Sequence, residues 1–298
     1  MPDSAPYELL DFGNGRKLER FGDVCLDRPA PAAEMARPCW PARWAKADAR
    51  FERGPDEQGE WQTKADVATS WSVLCDGFQL QLKLTPFGHV GMFPEQLPNW
   101  RWIARQLARR PRPLRVLNLF AYTGGSTLAA AAAGAEVVHV DAARNLVQWA
   151  RQNARASGLQ QAPVRWIVED ARRFVARQLR QGQQYHALIL DPPSYGHGPK
   201  GEAWKMSSHL LPLLADCRRL LSDDPAFVLL TAHSPGFGPA ELGACLQESL
   251  FGRCASGVVA RPLRLRTADG RTLRAGAVAR WPDRADVFSA ETQKARRG

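Results

Sequence analysis

Residues 114–126 read LRVLNLFAYTGGS, a short apolar run that passes directly into a turn with two consecutive glycines. The run is long enough for a buried strand and too short for a helix of its own. Gly124 and Gly125 let the chain turn tightly and bring backbone close to a ligand. Outward from this point the same texture recurs, with short apolar runs at 135–141, 163–168, 185–190, 225–231 and 257–265. Helical stretches at 124–133, 143–157, 171–181, 205–222 and 239–251 fill the intervals. Strand and helix in strict alternation predict an α/β fold built on a parallel sheet. Asp269-Gly270 then joins the sixth run to a seventh at 272–281, so the last strand is expected to run antiparallel.

Residues 1–84 have a different texture, punctuated by Pro and Trp, and read as a small β-rich N-terminal domain of short strands joined by turns. Asn14-Gly15 and Asp76-Gly77 each sit between strand-like runs, as tight hairpin turns require. After the second, Phe78, Leu80, Leu82 and Leu84 alternate with Gln79, Gln81 and Lys83, giving one buried and one wet face. Residues 85–113 are a connector, and 114–298 the larger domain.

At 298 residues the chain has ample length to bury a core, and 45% hydrophobic with 23% charged residues excludes a disordered or fibrous class. The formal net charge of +10 points to an acidic partner such as nucleic acid. Only seven of the forty basic residues are lysines, an arginine bias that GC-rich codons alone would give. The charge is also uneven: residues 1–100 carry 11 basic and 15 acidic side chains, residues 101–298 carry 29 and 15. Arg101, Arg105, Arg109, Arg110, Arg112 and Arg115 cluster before the first strand of the larger domain, and ten more basic residues fall at 261–297. A solvated arginine surface explains these runs as readily as a polyanion site.

The six cysteines (25, 39, 75, 217, 245 and 254) form no C-x-x-C pair and join no His-rich cluster, so no metal is expected. The start of the chain has no signal-peptide pattern, and no run of ~18 apolar residues suits a membrane span. The expected location is cytoplasmic.

Ligands of open α/β sheets bind beyond the carboxyl ends of the strands. The turn at 118–126 lacks the Gly-Lys-Ser/Thr of a phosphate loop and the full spacing of a dinucleotide fingerprint. Asp141 ends the second strand, where a carboxylate can accept two ribose hydroxyls; Glu169-Asp170 follows the third, where a side chain can meet an adenine edge. Each acid alone is equally a helix N-cap. Together they outline a site for an adenosine ligand without a pyrophosphate. The fourth strand ends in DPPSYG, 191–196: Pro192 and Pro193 stiffen the turn, Asp191 and nearby carbonyls can accept hydrogen bonds from a flat substrate, and Tyr195 can stack on it.

In their order, NLFAYTGG, Asp141, EDAR and DPPSYG resemble the motifs of class I S-adenosylmethionine-dependent methyltransferases. Residues 85–100, TPFGHVGMFPEQLPNW, and more weakly the opening YELLDFGNGRKLERFG, resemble the bacterial family that includes large-subunit ribosomal RNA cytosine-C5 and guanine methyltransferases. The resemblance covers about residues 78–280 and implies a seven-stranded Rossmann-like sheet with S-adenosylmethionine as cofactor. It places Asn118, Phe120, Ala121, Tyr122, Thr123 and Gly124 at the methionine part of the cofactor, Asp141 at the ribose and Asp170 at the adenine. Phe93 and Gln96 would close over it, and Asp191, Pro192, Pro193 and Tyr195 would hold the methyl acceptor.

Cytosine-C5 transfer needs a thiolate that adds to the ring. Relatives that perform it carry a cysteine after the fifth strand or beside the Pro-Pro turn, where this chain reads TAHS (231–234) and PSY (193–195). A nitrogen acceptor already has its lone pair and needs orientation alone, so the expected product is an N-methylated RNA base, guanine first, in ribosomal RNA. His233 is a possible assisting base, although a histidine there is more often structural. A protein or small-metabolite acceptor, and an RNA-binding protein without catalysis, are the other classes.

Overall fold

The computed structural model describes residues 5–55, 58–65, 67–110, 113–250 and 257–282. A first sheet takes five short strands: β1 (Glu8–Gly13), β2 (Arg16–Phe21), β3 (Val24–Pro29), β4 (Ala49–Arg53) and β5 (Gly59–Thr63), in that spatial order. A single helical turn, α1 (Pro41–Trp44), lies between β3 and β4, which pair in parallel. Strands β6 (Ser70–Cys75) and β7 (Phe78–Lys83) form a separate hairpin. Both expected hairpin turns are present, with Asn14, Gly15, Asp76 and Gly77 all at positive φ, the twist that a two-residue connection demands.

The larger sheet begins after α2 (Leu97–Ala108) and follows the expected alternation: β8 (Arg115–Leu119), α3 (Gly125–Ala132), β9 (Glu136–Asp141), α4 (Arg144–Ala156), β10 (Val164–Val168), α5 (Ala171–Arg180) and β11 (Ala187–Leu190). A two-strand flap, β12 (Tyr195–His197) and β13 (Ala203–Lys205), precedes α6 (Met206–Leu220), β14 (Phe227–Ala232), α7 (Pro239–Leu250), β15 (Val259–Arg266) and β16 (Thr272–Trp281). The spatial order is β10-β9-β8-β11-β14-β16-β15. Only β16 opposes its neighbours, pairing antiparallel with both β14 and β15. This is the seven-stranded sheet with one reversed strand that the sequence predicts. The two halves of the order diverge at β8 and β11, so the crevice for a ligand opens beyond their carboxyl ends.

The strands are apolar on both faces, as a sheet covered on both sides must be. Val116, Val137, Ile189 and Leu229 face one core, under α2 and α3; Leu117, Val138, Leu188, Leu190 and Leu230 face the other, with α5, α6 and α7. The β6–β7 hairpin packs on α4: Asn153 accepts from the Gln81 amide at 2.8 Å, and the Trp149 indole donates to the Gln81 carbonyl at 2.9 Å. Its Phe78, Leu80 and Leu82 join the first core, which also takes in Phe21, Leu26 and Ala49 of the smaller sheet.

The described arginines of the run before β8 are partly tied down by ion pairs and hydrogen bonds. Arg110 pairs with Asp224 at 2.5 Å, ahead of β14, and Arg101 pairs with Asp76 at 2.9 Å. Arg115 starts β8 and bonds to Gln183. Arg112, Cys254 and the basic residues beyond 282 lie outside the described residues.

Candidate active site

Beyond the carboxyl ends of β8, β9, β10, β11 and β14 lies a cavity of about 450 Å³, with a narrow annex of about 40 Å³ beside the β8–α3 turn. The turn is built under strain. Phe120 and Tyr122 have φ of 56° and 50°, a region that costs a side-chain-bearing residue ~1–2 kcal/mol and is seen mostly where function requires it. Hydrogen bonds hold the conformation: the Ala121 amide donates to the Val140 carbonyl at 3.1 Å, and the Tyr122 amide to Asp141 Oδ2 at 2.8 Å. The glycine pair serves this packing more than a ligand. A Cβ on Gly125 would lie 2.2 Å from the Trp100 indole, and one on Gly124 would lie 3.0 Å from Ala150. Asn118 turns away from β8 to bond Thr127 at 2.9 Å, and Thr123 donates to the Gly91 carbonyl at 2.6 Å.

Asp141 lines the cavity wall. Its Oδ1 accepts from the Ala143 amide at 2.9 Å, so each oxygen holds one backbone donor and keeps lone pairs for a ligand. Burial raises its pKa against those hydrogen bonds. Asp170 is also in the wall and is the N-cap of α5, accepting from the Arg172 and Arg173 amides at 3.0 and 3.1 Å. Glu169 is tied to Arg177 at 2.6 Å. Asp170 is thus an N-cap that also lines the cavity.

Asp191 lies at the centre of the far wall and is the most heavily supported carboxylate there. Thr231 donates to Oδ1 at 2.5 Å, Gln96 donates to Oδ2 at 3.1 Å, and His233 Nε2 stands 3.5 Å from Oδ1. Burial pushes its pKa up, but the His233 charge and these hydrogen bonds outweigh it and hold the carboxyl below its ordinary value. Gln96 is in turn fixed by Asn99, whose Oδ1 accepts from Arg280 Nε at 3.1 Å. The Pro193 carbonyl accepts from the Trp204 indole at 2.7 Å, which ties the Pro-Pro turn to β13.

Phe93 packs on Tyr122 and His89, each with ring centroids 5.3 Å away, and on His233 at 5.8 Å, so one aromatic side chain covers the mouth. Gln96 is buried, bonded to Asp191, and lines the annex beside the β8–α3 turn. Tyr195 is exposed, with its hydroxyl 2.9 Å from His197 Nε2, and is not part of the cavity wall.

Two groups have more prominent places here than the sequence indicates. His233 lines the cavity, donates from Nδ1 to the Ala275 carbonyl at 2.8 Å, and has Glu95 at 3.5 Å. Burial lowers its pKa, but Asp191 and Glu95 together carry it up to about 9, so the imidazole is charged at neutral pH. Trp204, unmarked in the sequence, stacks at 4.8 Å on Phe120 and closes the flap side. None of the described cysteines lines the cavity or its annex.

A mostly parallel seven-stranded sheet in this order, with an acid ending β9 and an Asp-Pro-Pro turn after β11, is an arrangement of the kind found in class I methyltransferases. The S-adenosylmethionine-dependent methyltransferase family model matches residues 31–234, and the chain belongs to that family. It is 40% identical to the S-adenosylmethionine-dependent methyltransferase of Agrobacterium tumefaciens, covering 94% of this chain and 91% of that one, with a TM-score of 0.89. A methyltransferase from Streptococcus mutans shares the fold at 15% identity, covering 93% of this chain and 76% of that one, with a TM-score of 0.71. Among curated proteins, ribosomal RNA large subunit methyltransferase K/L of Magnetococcus marinus is 30% identical over 223 residues, 74% of this chain. The match spans 28% of that relative's own length. No helix among the described residues is long and apolar enough to cross a membrane.

Proposed function

We propose that this methyltransferase modifies a nitrogen of an RNA base, with guanine in ribosomal RNA the first candidate. The observation that carries the reading is Asp191: a carboxylate kept ionised by three side chains, in the wall of a cavity that no described cysteine lines. An ionised carboxylate accepts hydrogen bonds, as a base edge rich in N–H groups requires, and no described cysteine is placed to add to a pyrimidine ring. The curated relatives named as ribosomal RNA methyltransferases support the choice of RNA.

The donor set fits the cofactor. Asp141, with free lone pairs on both oxygens, would hold the ribose hydroxyls, and Asp170 and Ala171 the adenine edge. Phe120, Ala121 and Tyr122, with the annex that Asn118, Thr123 and Gly125 also line, would hold the amino-acid part, and Gly124 shapes the turn behind it. S-adenosylmethionine supplies an activated methyl group when bound. Asp191 would orient the acceptor by accepting its N–H, and where that nitrogen is an amine the same carboxylate can take the proton it loses. His233, already protonated, serves as counter-charge to Asp191 and not as a base. Pro192 and Pro193 fix the turn, Tyr195 stands outside where it can meet flanking bases, and Phe93 excludes water from the mouth.

Mass spectrometry of nucleosides from total RNA, in cells with and without the gene, tests the reading. One N-methylated nucleoside should disappear and return on complementation. An unchanged nucleoside profile, with methyl transfer to protein instead, would overturn it.

A further inference from the structure

A second cleft, of about 220 Å³, lies between the smaller sheet and the β15–β16 hairpin, and it shares His89 and Phe93 with the catalytic cavity. A chain with one unit in the cavity would therefore leave its neighbours in this cleft. Lys17, Arg28, Arg53 and Arg274 line it, against Glu95 alone among the described acids. Glu95 faces His233. Lys17 and Arg28 share one buried carboxylate, Glu19, at 3.0 and 2.7 Å, which leaves a positive surplus. Arg53 and Arg274 are exposed, and no acidic partner is seen for either among the described residues.

The cleft also presents an aromatic ring outward. Phe87 is 53% exposed at the tip of a turn that is itself firmly held. The Gly88 amide donates to the Thr85 carbonyl at 3.0 Å, the Trp61 indole to the same carbonyl at 2.8 Å, and Arg28 to the Gly88 carbonyl at 3.0 Å. An exposed phenyl on a rigid turn, in a cleft lined by guanidinium groups for which no acidic partner is seen among the described residues, is the combination that single-stranded nucleic acid uses, with cations for phosphates and a ring for a base.

We propose that this cleft binds the single-stranded RNA next to the methylated base, with phosphates at Arg53 and Arg274 and a base stacked on Phe87. The proposal rests on the RNA reading of the active site. Arg101 and Arg110 are occupied elsewhere, in ion pairs with Asp76 and Asp224.

The test is steady-state methylation of ribosomal RNA by the whole protein over a range of salt, comparing wild type, the Arg53→Ala/Arg274→Ala double variant, Phe87→Ala and, as control, Arg105→Ala. In the double variant KM for RNA should rise about tenfold with kcat and cofactor affinity unchanged, and the slope of log affinity against log salt should fall by about two. Phe87→Ala should raise KM several-fold without changing that slope. Arg105→Ala should behave as wild type. Unchanged KM and slope in both cleft variants, with active wild type, would overturn the cleft and leave the RNA reading standing; no RNA methylation by wild type would overturn both. If the double variant does not fold, Arg274→Gln alone should still raise KM and lower the slope by about one.

Discussion

His233 and Asp191 face each other across the mouth of the cavity, Nε2 to Oδ1 at 3.5 Å, with the other imidazole nitrogen held by the Ala275 carbonyl. Each shifts the other toward its charged form: the histidine rises to about 9 and the aspartate falls below its usual value. A group whose pKa is raised on folding stabilises fully below its unfolded pKa and loses that contribution as pH climbs through the folded one. The stability difference between wild type and His233→Gln should therefore be complete below about pH 6, decline as pH rises from there, and lose its pH-dependent part by about pH 10. NMR titration of the His233 ring should show its pKa return toward about 6.5 in Asp191→Asn. A ring that titrates near 6.5 in wild type would remove this pairing.

Asp191→Ala should separate binding from chemistry. With the carboxylate on the proposed acceptor side, cofactor affinity by calorimetry should change less than threefold while kcat falls about a hundredfold. A parallel loss of cofactor affinity would move Asp191 to the cofactor side of the cavity.

Asp141→Ala should do the reverse and more. It removes the proposed ribose acceptor and also leaves the Tyr122 and Ala143 amides without their partner, so cofactor affinity should fall at least about tenfold and stability by about 1–3 kcal/mol. Unaltered affinity by calorimetry would refute the ribose assignment.

The contrast between these acids and the rest of the site shows what sequence can and cannot carry. Strands β8 to β11 and β14 were legible because each is a short apolar run bounded by a turn, and each acid at a strand end stands in the crevice by topology alone. The support of Asp191 was not legible. Gln96, Thr231 and His233 converge on it from elements separated by as much as 137 positions, and nothing in their local spacing signals that meeting. One trace did exist: Gly276, at φ 123°, where a Cβ would meet the Ala232 carbonyl at 2.5 Å and His233 Nδ1 at 2.9 Å. In a strand otherwise rich in side chains, such a glycine marks close approach of another backbone. The β12–β13 flap went unread because its strands have three residues each, too few for a periodic pattern. The arginine run was read as a charged face because ion pairs with Asp76 and Asp224 depend on partners far away in sequence.

The strain at Tyr122 can be measured directly. Its φ of 50° suits glycine and penalises any β-carbon, so Tyr122→Gly should be more stable than Tyr122→Ala by about 1 kcal/mol, the reverse of the order expected in an ordinary helix or strand. Both variants lose the packing on Phe93, so their difference isolates the backbone. Urea denaturation with unchanged m-values decides it; alanine as the more stable variant would show that the turn relaxes.

Asp11 is the remaining buried acid with a testable role, and it joins three parts of the chain. Its carboxylate accepts from the Cys39 and Trp40 amides at 3.2 and 2.8 Å, from the Trp44 indole at 2.9 Å, and pairs with Arg271 of the β15–β16 connection at 2.6 Å. Burial opposes ionisation, but the four donors win and hold the pKa at about 2. A depressed carboxylate stabilises above its unfolded value and loses that contribution as pH falls through the folded one. Asp11→Ala should cost about 3 kcal/mol at pH 7, because several buried donors lose their partner at once. The penalty should shrink between about pH 4 and pH 2, where wild type protonates the same group. Since β15 and β16 also line the basic cleft, the variant should raise KM for RNA while leaving cofactor affinity intact. Equal stability of wild type and variant at pH 7 would mean that the β1 to β15–β16 junction is held by the Leu9, Phe12, Leu265 and Leu273 cluster alone.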